Sequence, residues 1–293
     1  MITKADTYIY ELLKNIKENG YLDENPRPKL ADGSPAHTVS INGQFREYDI
    51  GAGEFPICTL RKIAWKSAIK EIFWIYQKQS NSLEMLREEF GVKYWDLWES
   101  KDLPGTIGVR YGEIVRRHDL MNKLLEGLVK DPFGRRHIID LYQYSDMDES
   151  DGLNPCAFLT IWNVRKDRDE NKYLDLSLIQ RSGDSMAASC SGVNECQYAA
   201  LLMMVAKHCG YRVGKLYHYV ANEQIYEVHM DAVDEMIKRY ETKLSFEEYG
   251  VNHRTPKLVL ETDKTNFYDF TIDDFKLYDY EPAGPQLKLE LGI

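Results

Sequence analysis

Apolar positions along the chain follow two rhythms. Between residues 6 and 18, Ile9, Leu12, Leu13 and Ile16 fall at helical spacing and Gly20 follows as a stop, so a helix is predicted. A second helix is predicted over 62–78, with Trp65, Ile69, Ile72, Phe73 and Tyr76 on one stripe. A third covers 118–130 and ends before Asp131-Pro132. Residues 194–209 are apolar on nearly every face and stop at Gly210, which predicts a buried helix. Elsewhere the pattern is that of strands. Residues 38–41 and 44–48 flank Asn42-Gly43 and read as a hairpin. Strands are also predicted over 136–144, 156–164 and 173–181, the last two joined as a hairpin across the charged turn 166–172. Further strands are predicted over 215–220, 257–261 and 286–291. Residues 26–36 hold too many helix and strand breakers for regular structure, which leaves Arg27 on a loop. Strands and helices do not alternate regularly. The expected fold class is therefore α+β, a mixed β-sheet packed with helices in one domain spanning 1–293.

Composition narrows the function classes. The 293 residues contain no repeat and no Gly/Ser/Pro-rich linker, and a chain this long can bury a substantial core. Lys and Arg number 37 against 47 Asp and Glu, a net charge of −10, which disfavours nonspecific binding to nucleic acid or anionic lipid. No window approaches 18 consecutive apolar residues, and the first residues lack the layout of a signal peptide. Five cysteines, an odd number without a CxxC pair, point to a reducing compartment and against a zinc site. The expectation is a cytoplasmic protein with no metal, no membrane and no specific nucleic-acid partner.

Four features could carry chemistry. Arg135-Arg136 follow the turn Asp131-Pro-Phe-Gly, and Arg181-Ser182 end a predicted strand. Such arginines either converge on a phosphate or are solvated surface charges. Cys156 opens one strand of a predicted hairpin and Arg181 closes the other, so they share one end. A guanidinium there would lower the thiol pKa and favour a nucleophilic thiolate; otherwise Cys156 is a small buried hydrophobe. Glu71 sits beside Trp74 and Ile75, where lost hydration would raise its pKa for acid/base work, unless it pairs with Lys70 or Lys78 at the rim. Asn194 either caps the apolar helix or uses its amide to read the edge of a flat heterocycle.

Taken in order, Trp65-Lys-Ser-Ala-Ile-Lys-Glu-Ile-Phe-Trp, Tyr94-Trp-Asp-Leu-Trp, Tyr111-Gly, Asp131-Pro-Phe-Gly-Arg-Arg-His-Ile-Ile, Pro155-Cys156 and Gln180-Arg-Ser-Gly-Asp184 resemble thymidylate synthase. So do Asn194 with Gln197-Tyr198, Ile225-Tyr226 before His229, and the segment opening at Asn266-Phe-Tyr-Asp. The resemblance implies a sheet-to-sheet homodimer that methylates dUMP to dTMP with 5,10-methylenetetrahydrofolate. It implies that Cys156 is the nucleophile that adds to pyrimidine C6, with Glu71, Tyr111 and Arg181 as its catalytic partners. It places Arg27, Arg181 and Ser182 on the phosphate, with Arg135 and Arg136 contributed across the dimer. Gln180 and Asn194 would meet the base, Gln224 and Tyr226 the ribose side, and Trp95, Asp184 and Ile293 the folate.

The chain also departs from the family pattern. Ala157 and Gln224 stand where the family usually has His, and Tyr142-Gln-Tyr replaces the usual Trp-Asn-Pro. The stretch 185–193 lacks the usual Leu-Gly-x-Pro-Phe and is two residues longer. A dUMP hydroxymethylase, using the same cysteine and folate but finishing with water, is the alternative within the same fold.

Overall fold

Residues 2–248, 255–290 and 292 are described in a computed structural model. The chain opens with α1 (Lys4–Asn19), entered through a reciprocal cap in which Thr3 and Asp6 each accept the other's backbone N–H. The short β1 (Tyr21–Leu22) and the long β2 (Thr38–Asp49) follow. Next come α2 (Trp65–Ile72), α3 (Leu83–Glu88), α4 (Gly112–Arg117) and α5 (Leu120–Lys130). After β3 (Ile138–Asp140) and the one-turn α6 (Tyr144–Met147) the sheet resumes with β4 (Ala157–Lys166), β5 (Lys172–Gln180) and β6 (Gly183–Asp184). The apolar α7 (Val193–Cys209) leads to β7 (Arg212–Tyr226), then α8 (Met230–Glu248), β8 (Lys257–Leu260) and β9 (Phe275–Tyr278).

Six strands form one mixed sheet in the order β1-β2-β7-β5-β4-β3, and β6 pairs the end of β7. The β5–β7 pairing is parallel, with α7 as the crossover that buries itself against both strands. Helix α7 ends at Gly210, whose φ of +71° closes it without steric cost. Its inner residues, Tyr198 to Ala206, are buried on all sides, as their unbroken apolar run requires.

Side-chain alternation separates the two sheet faces. Arg46, His218, Leu178 and Thr160 lie in one row across β2, β7, β5 and β4, and all four are buried under the helices. The next row, Phe45, Tyr219, Ile179 and Leu159, points the other way. Phe45 and Tyr219 there are 60% and 40% exposed, which leaves an apolar sheet face uncovered within the chain.

Several expected elements differ. No hairpin forms at Asn42-Gly43: β2 runs straight through, because the 15 residues of β7 offer partners on both sides in one register, Asn42 opposite Asn222 and Gln44 opposite Val220. Gly43 absorbs a φ of +69° without turning the chain. The strand expected over 136–144 shrinks to β3, and that over 215–220 is only the middle of β7. The expected helix 62–78 begins at Trp65 and finishes in a π-helical turn, Phe73–Gln77, and 118–130 is α5 preceded by the separate α4. No strand occupies 286–290; residue 291 lies outside the described residues. Among the described residues no helix is long and apolar enough to cross a membrane.

Candidate functional site

The hairpin of β4 and β5 brings Cys156 and Arg181 to one end, as the strand pattern implied. The Arg181 backbone N–H donates to the Cys156 carbonyl at 2.9 Å, so the two strand ends are fastened together. The guanidinium donates through Nε to Pro155 O at 3.0 Å and through Nη2 to Asn154 O at 2.9 Å. From those anchors Nη2 also reaches Cys156 Sγ at 3.5 Å. Cys156 is half-buried, whereas Cys58, Cys190 and Cys196 are buried. Burial raises the Cys156 pKa, while Arg181 and then Arg27 pull it back down. The guanidinium lowers the thiol pKa as expected, but burial outweighs it and the net shift is upward. Cys209, without a cation, is pushed up to about 12 by burial.

Tyr111 approaches from the helical layer, where its hydroxyl accepts from the Cys156 backbone N–H at 3.2 Å. Its φ of +46° is strained for a residue with a side chain. Gly112 makes this entry to α4 possible, because a Cβ there would lie 2.2 Å from Ser80 O. The Tyr111 ring meets Trp95 edge to face with centroids 5.3 Å apart. Glu71 is buried, accepts a short hydrogen bond from the Tyr94 hydroxyl, and has its pKa raised by burial. Tyr94, Trp95 and Gln197 oppose that shift. Trp95 Nε1 and Gln197 Nε2 are buried without a partner at hydrogen-bond distance. The rim pairing of Glu71 with Lys70 or Lys78 does not occur: Lys70 donates to Phe90 O and Lys78 pairs with Glu89.

Asn194 enters the site at the start of α7. Its side chain is not a helix cap: Oδ1 accepts from Gln180 Nε2 at 3.2 Å and Nδ2 donates to Gln197 Oε1 at 3.0 Å. Asp184 Oδ1 accepts from the backbone of Met186 and Ala187, each at 3.0 Å, while Oδ2 is buried without a partner and burial raises the group's pKa. Asp184 lies opposite Gln224 on β7, two residues before the buried Tyr226. Gly292 presses on Tyr226 so closely that a Cβ would sit 2.7 Å from its ring, and Glu290 O meets His229 Nε2 at 2.8 Å. The chain end is thereby brought over this edge of the site, although Ile293 itself lies outside the described residues.

Arg27 is exposed on its loop, and its charge reaches both Cys156 and Tyr226. Ser182 is half-exposed beside Arg181. Arg135 and Arg136 are different. They are exposed between α5 and β3, pair with no carboxylate among the described residues, and are not among the arginines acting on Cys156. A single chain does not bring them into the cluster.

Sequence reasoning passed over a buried charged group behind Asn194, made of Arg46, Glu195, His218 and Glu223, all 3% exposed or less. Its signal was available: Glu195 interrupts an otherwise apolar helix, and charges at inward positions of a strand are rare. Among the described residues no group of three His, Cys, Asp or Glu could hold a metal ion.

The raised Cys156 pKa has a measurable sign. Alkylation of Cys156 by iodoacetamide should increase with pH through a midpoint above that of free cysteine. Arg181→Met should move that midpoint further up, because the cation that stabilises the thiolate is gone. Mass spectrometry of the Cys156 peptide reads both; a midpoint unmoved by Arg181→Met contradicts this electrostatic account.

The sequence profile of the thymidylate synthase family matches residues 7–293. The chain is 46% identical to the thymidylate synthase of Lactococcus lactis subsp. cremoris (strain SK11) and 47% identical to that of Streptococcus gordonii, covering 100% of both proteins in each case. Its fold superposes on the crystal form titled thermostable thymidylate synthase A from Bacillus subtilis with a TM-score of 0.84, at 32% identity over 99% of each chain. The ordered motifs, the mixed sheet and these full-length matches agree: the chain belongs to the thymidylate synthase family.

Proposed function

We propose that the chain catalyses reductive methylation of dUMP to dTMP, consuming 5,10-methylenetetrahydrofolate and leaving dihydrofolate. The observation that carries the mechanism is the half-buried thiol of Cys156 with a fixed guanidinium 3.5 Å from its sulfur. In this reading the Cys156 thiolate adds to C6 of the pyrimidine, and the electron pair moves through C5 toward O4. The folate supplies the one-carbon unit and the hydride. Loss of the C5 proton and departure of the sulfur restore the aromatic pyrimidine and the free thiol. Arg181 offsets the burial cost of the anion at the start and end of this cycle. Glu71, with a pKa raised by burial, is suited to hand a proton toward O4 and take one back. Tyr111, bound to the Cys156 backbone and set edge to face against Trp95, joins the thiol to that proton path.

The phosphate falls to Arg27, Arg181 and Ser182, the ribose to Gln224 and Tyr226, and the uracil edge to Asn194 held by Gln180. The unpartnered Asp184 Oδ2 and Trp95 Nε1 supply an acceptor and a donor, which suits a flat heterocycle that offers both, such as the pterin of folate. The chain end at Gly292 and Ile293 would close over it. The hydroxymethylase alternative is not favoured, since the family and the relatives are named synthases.

The assembly that fits is a homodimer joined through the open sheet face, where Phe45 and Tyr219 would be covered. Arg135 and Arg136, without a carboxylate partner among the described residues, would then complete the phosphate clamp of the neighbouring site. The free cysteines suit the reducing cytoplasm.

Incubated with dUMP and 5,10-methylenetetrahydrofolate, the protein should yield dTMP and dihydrofolate in equal amounts. Cys156→Ser should lower that turnover at least ~10³-fold while retaining dUMP binding. Hydroxymethyl-dUMP with tetrahydrofolate as products, or undiminished turnover in the variant, contradicts the proposal. For the shared site, Cys156→Ser and Arg136→Ala chains, each weakly active alone, should recover up to about a quarter of full activity when mixed and allowed to exchange, because half the dimers then hold one intact site. No recovery despite verified exchange would place Arg136 in its own chain's site.

A further inference from the structure

The buried cluster behind Asn194 is not needed to hold up the sheet, since apolar side chains would do that at lower desolvation cost. Its contacts run in one direction, toward the base-reading amide. Arg46 on β2 donates through Nε to Glu195 Oε1 at 2.5 Å and through Nη2 to Glu223 Oε1 at 2.6 Å. Glu195 Oε1 lies 2.8 Å from His218 Nδ1, and His218 Nε2 lies 3.1 Å from Gln180 Oε1. Gln180 Nε2 then donates to Ser182 O at 2.8 Å and to Asn194 Oδ1 at 3.2 Å, and Asn194 Nδ2 donates to Gln197 Oε1.

Each amide in this chain has two orientations, and reversing one reverses the next. The orientations are not equivalent. Ser182 O is a backbone carbonyl that only accepts, so Gln180 must point its NH₂ there and its oxygen at His218. His218 must then donate from Nε2. Its other nitrogen faces an ionised carboxylate, which Arg46 and His218 hold at about 2 against the opposing effect of burial. Nδ1 lies between that oxygen, 2.8 Å away, and the donor Arg46 Nη2 at 3.2 Å. Burial and Arg46 lower the pKa of His218 while Glu195 acts to raise it, and the net shift is downward; the proton on Nε2 is required by Gln180 Oε1 whatever the charge of the ring. Arg46 stands between the carboxylates of Glu195 and Glu223. The other groups facing the cluster are neutral: Tyr48 and the backbone N–H of Ser191 donate to Glu195, Ser185 and Ser189 donate to Glu223, and Cys190 is a buried thiol.

We propose that His218, donating from Nε2 to Gln180, is a positioning residue that locks the Asn194 amide in the orientation reading uracil. With Oδ1 turned to Gln180 and Nδ2 to Gln197, the remaining lone pair and proton of Asn194 match the N3–H donor and O4 acceptor of uracil. Cytosine, with an acceptor at N3 and a donor at C4, needs the reversed amide, and reversal would set Gln180 oxygen against Ser182 O. The same cluster pins the two-residue-longer 185–193 stretch, through Ser185, Ser189 and Ser191, between Asp184 and Asn194. This inference rests on the assignment of dUMP as substrate.

Two measurements test it. In the unsubstituted protein with ¹⁵N-labelled histidine, His218 should show a protonated Nε2 between about pH 6.5 and 8. A lone-pair signal at Nε2 in that range overturns the proposal. Second, the double variant His218→Gln/Glu195→Gln removes the ring donor and the Glu195 charge and keeps Arg46 paired with Glu223. Its preference for dUMP over dCMP in kcat/KM should fall about 10-fold or more, mainly through a raised KM for dUMP. A preference unchanged in a variant that still turns over dUMP overturns this inference alone. Absence of dUMP turnover by the unsubstituted protein overturns the parent reading.

Discussion

The site depends on how one guanidinium is fastened. Arg181 follows the last residue of β5, and its side chain is pinned by the carbonyls of Asn154 and Pro155, immediately before β4. The Arg181 backbone grips the Cys156 carbonyl as well. The spacing of cation and sulfur is therefore a property of two paired strand ends and not of flexible side chains. This rigidity matters because the thiol's surroundings push against ionisation. Burial alone would hold the sulfur protonated, and a fixed cation in low dielectric is the most effective way to make the anion accessible.

The same sheet register extends outward from that point. Parallel pairing of β5 with β7 sets Leu178 beside His218 and Gln180 beside Val220, so the residue that holds Asn194 is one strand away from the residue that orients it. The antiparallel pairing of β2 with β7 sets Arg46 opposite His218. Three strands and the first turn of α7 thus meet in one buried polar centre behind Asn194. Every member of the charged group is hydrogen-bonded, as a low-dielectric interior demands. On the other side Tyr111 holds a positive φ, where Gly112 lets the backbone press on Ser80 and directs the tyrosine hydroxyl at Cys156.

Much of this was legible from residue patterns. Alternation and the charged turn 166–172 gave the β4–β5 hairpin, and with it the meeting of Cys156 and Arg181. The unbroken apolar run of α7 announced its burial, and the aromatics around Glu71 announced its raised pKa. What failed did so for identifiable reasons. Asn42-Gly43 carries a turn signal, but local signals yield when a long partner strand supplies hydrogen bonds on both sides. The net balance at Cys156 was not legible, because a sequence shows that an arginine is near and does not show how deeply the sulfur lies. The cluster joins Arg46 on β2 to Glu195, His218 and Glu223 far along the chain, and only the register of β2 and β7 with α7 packed against the sheet brings them together. Arg135 and Arg136 stand apart from the Cys156 cluster within the single chain.

The central claim is a covalent bond between the Cys156 sulfur and the pyrimidine. The most direct measurement is to quench the reacting mixture with denaturant and weigh the intact chain and its peptides. The account predicts a fraction of chain heavier by the nucleotide, with the added mass on the peptide that contains Cys156. Turnover to dTMP with no added mass at that peptide, or with the mass on another residue, would contradict it.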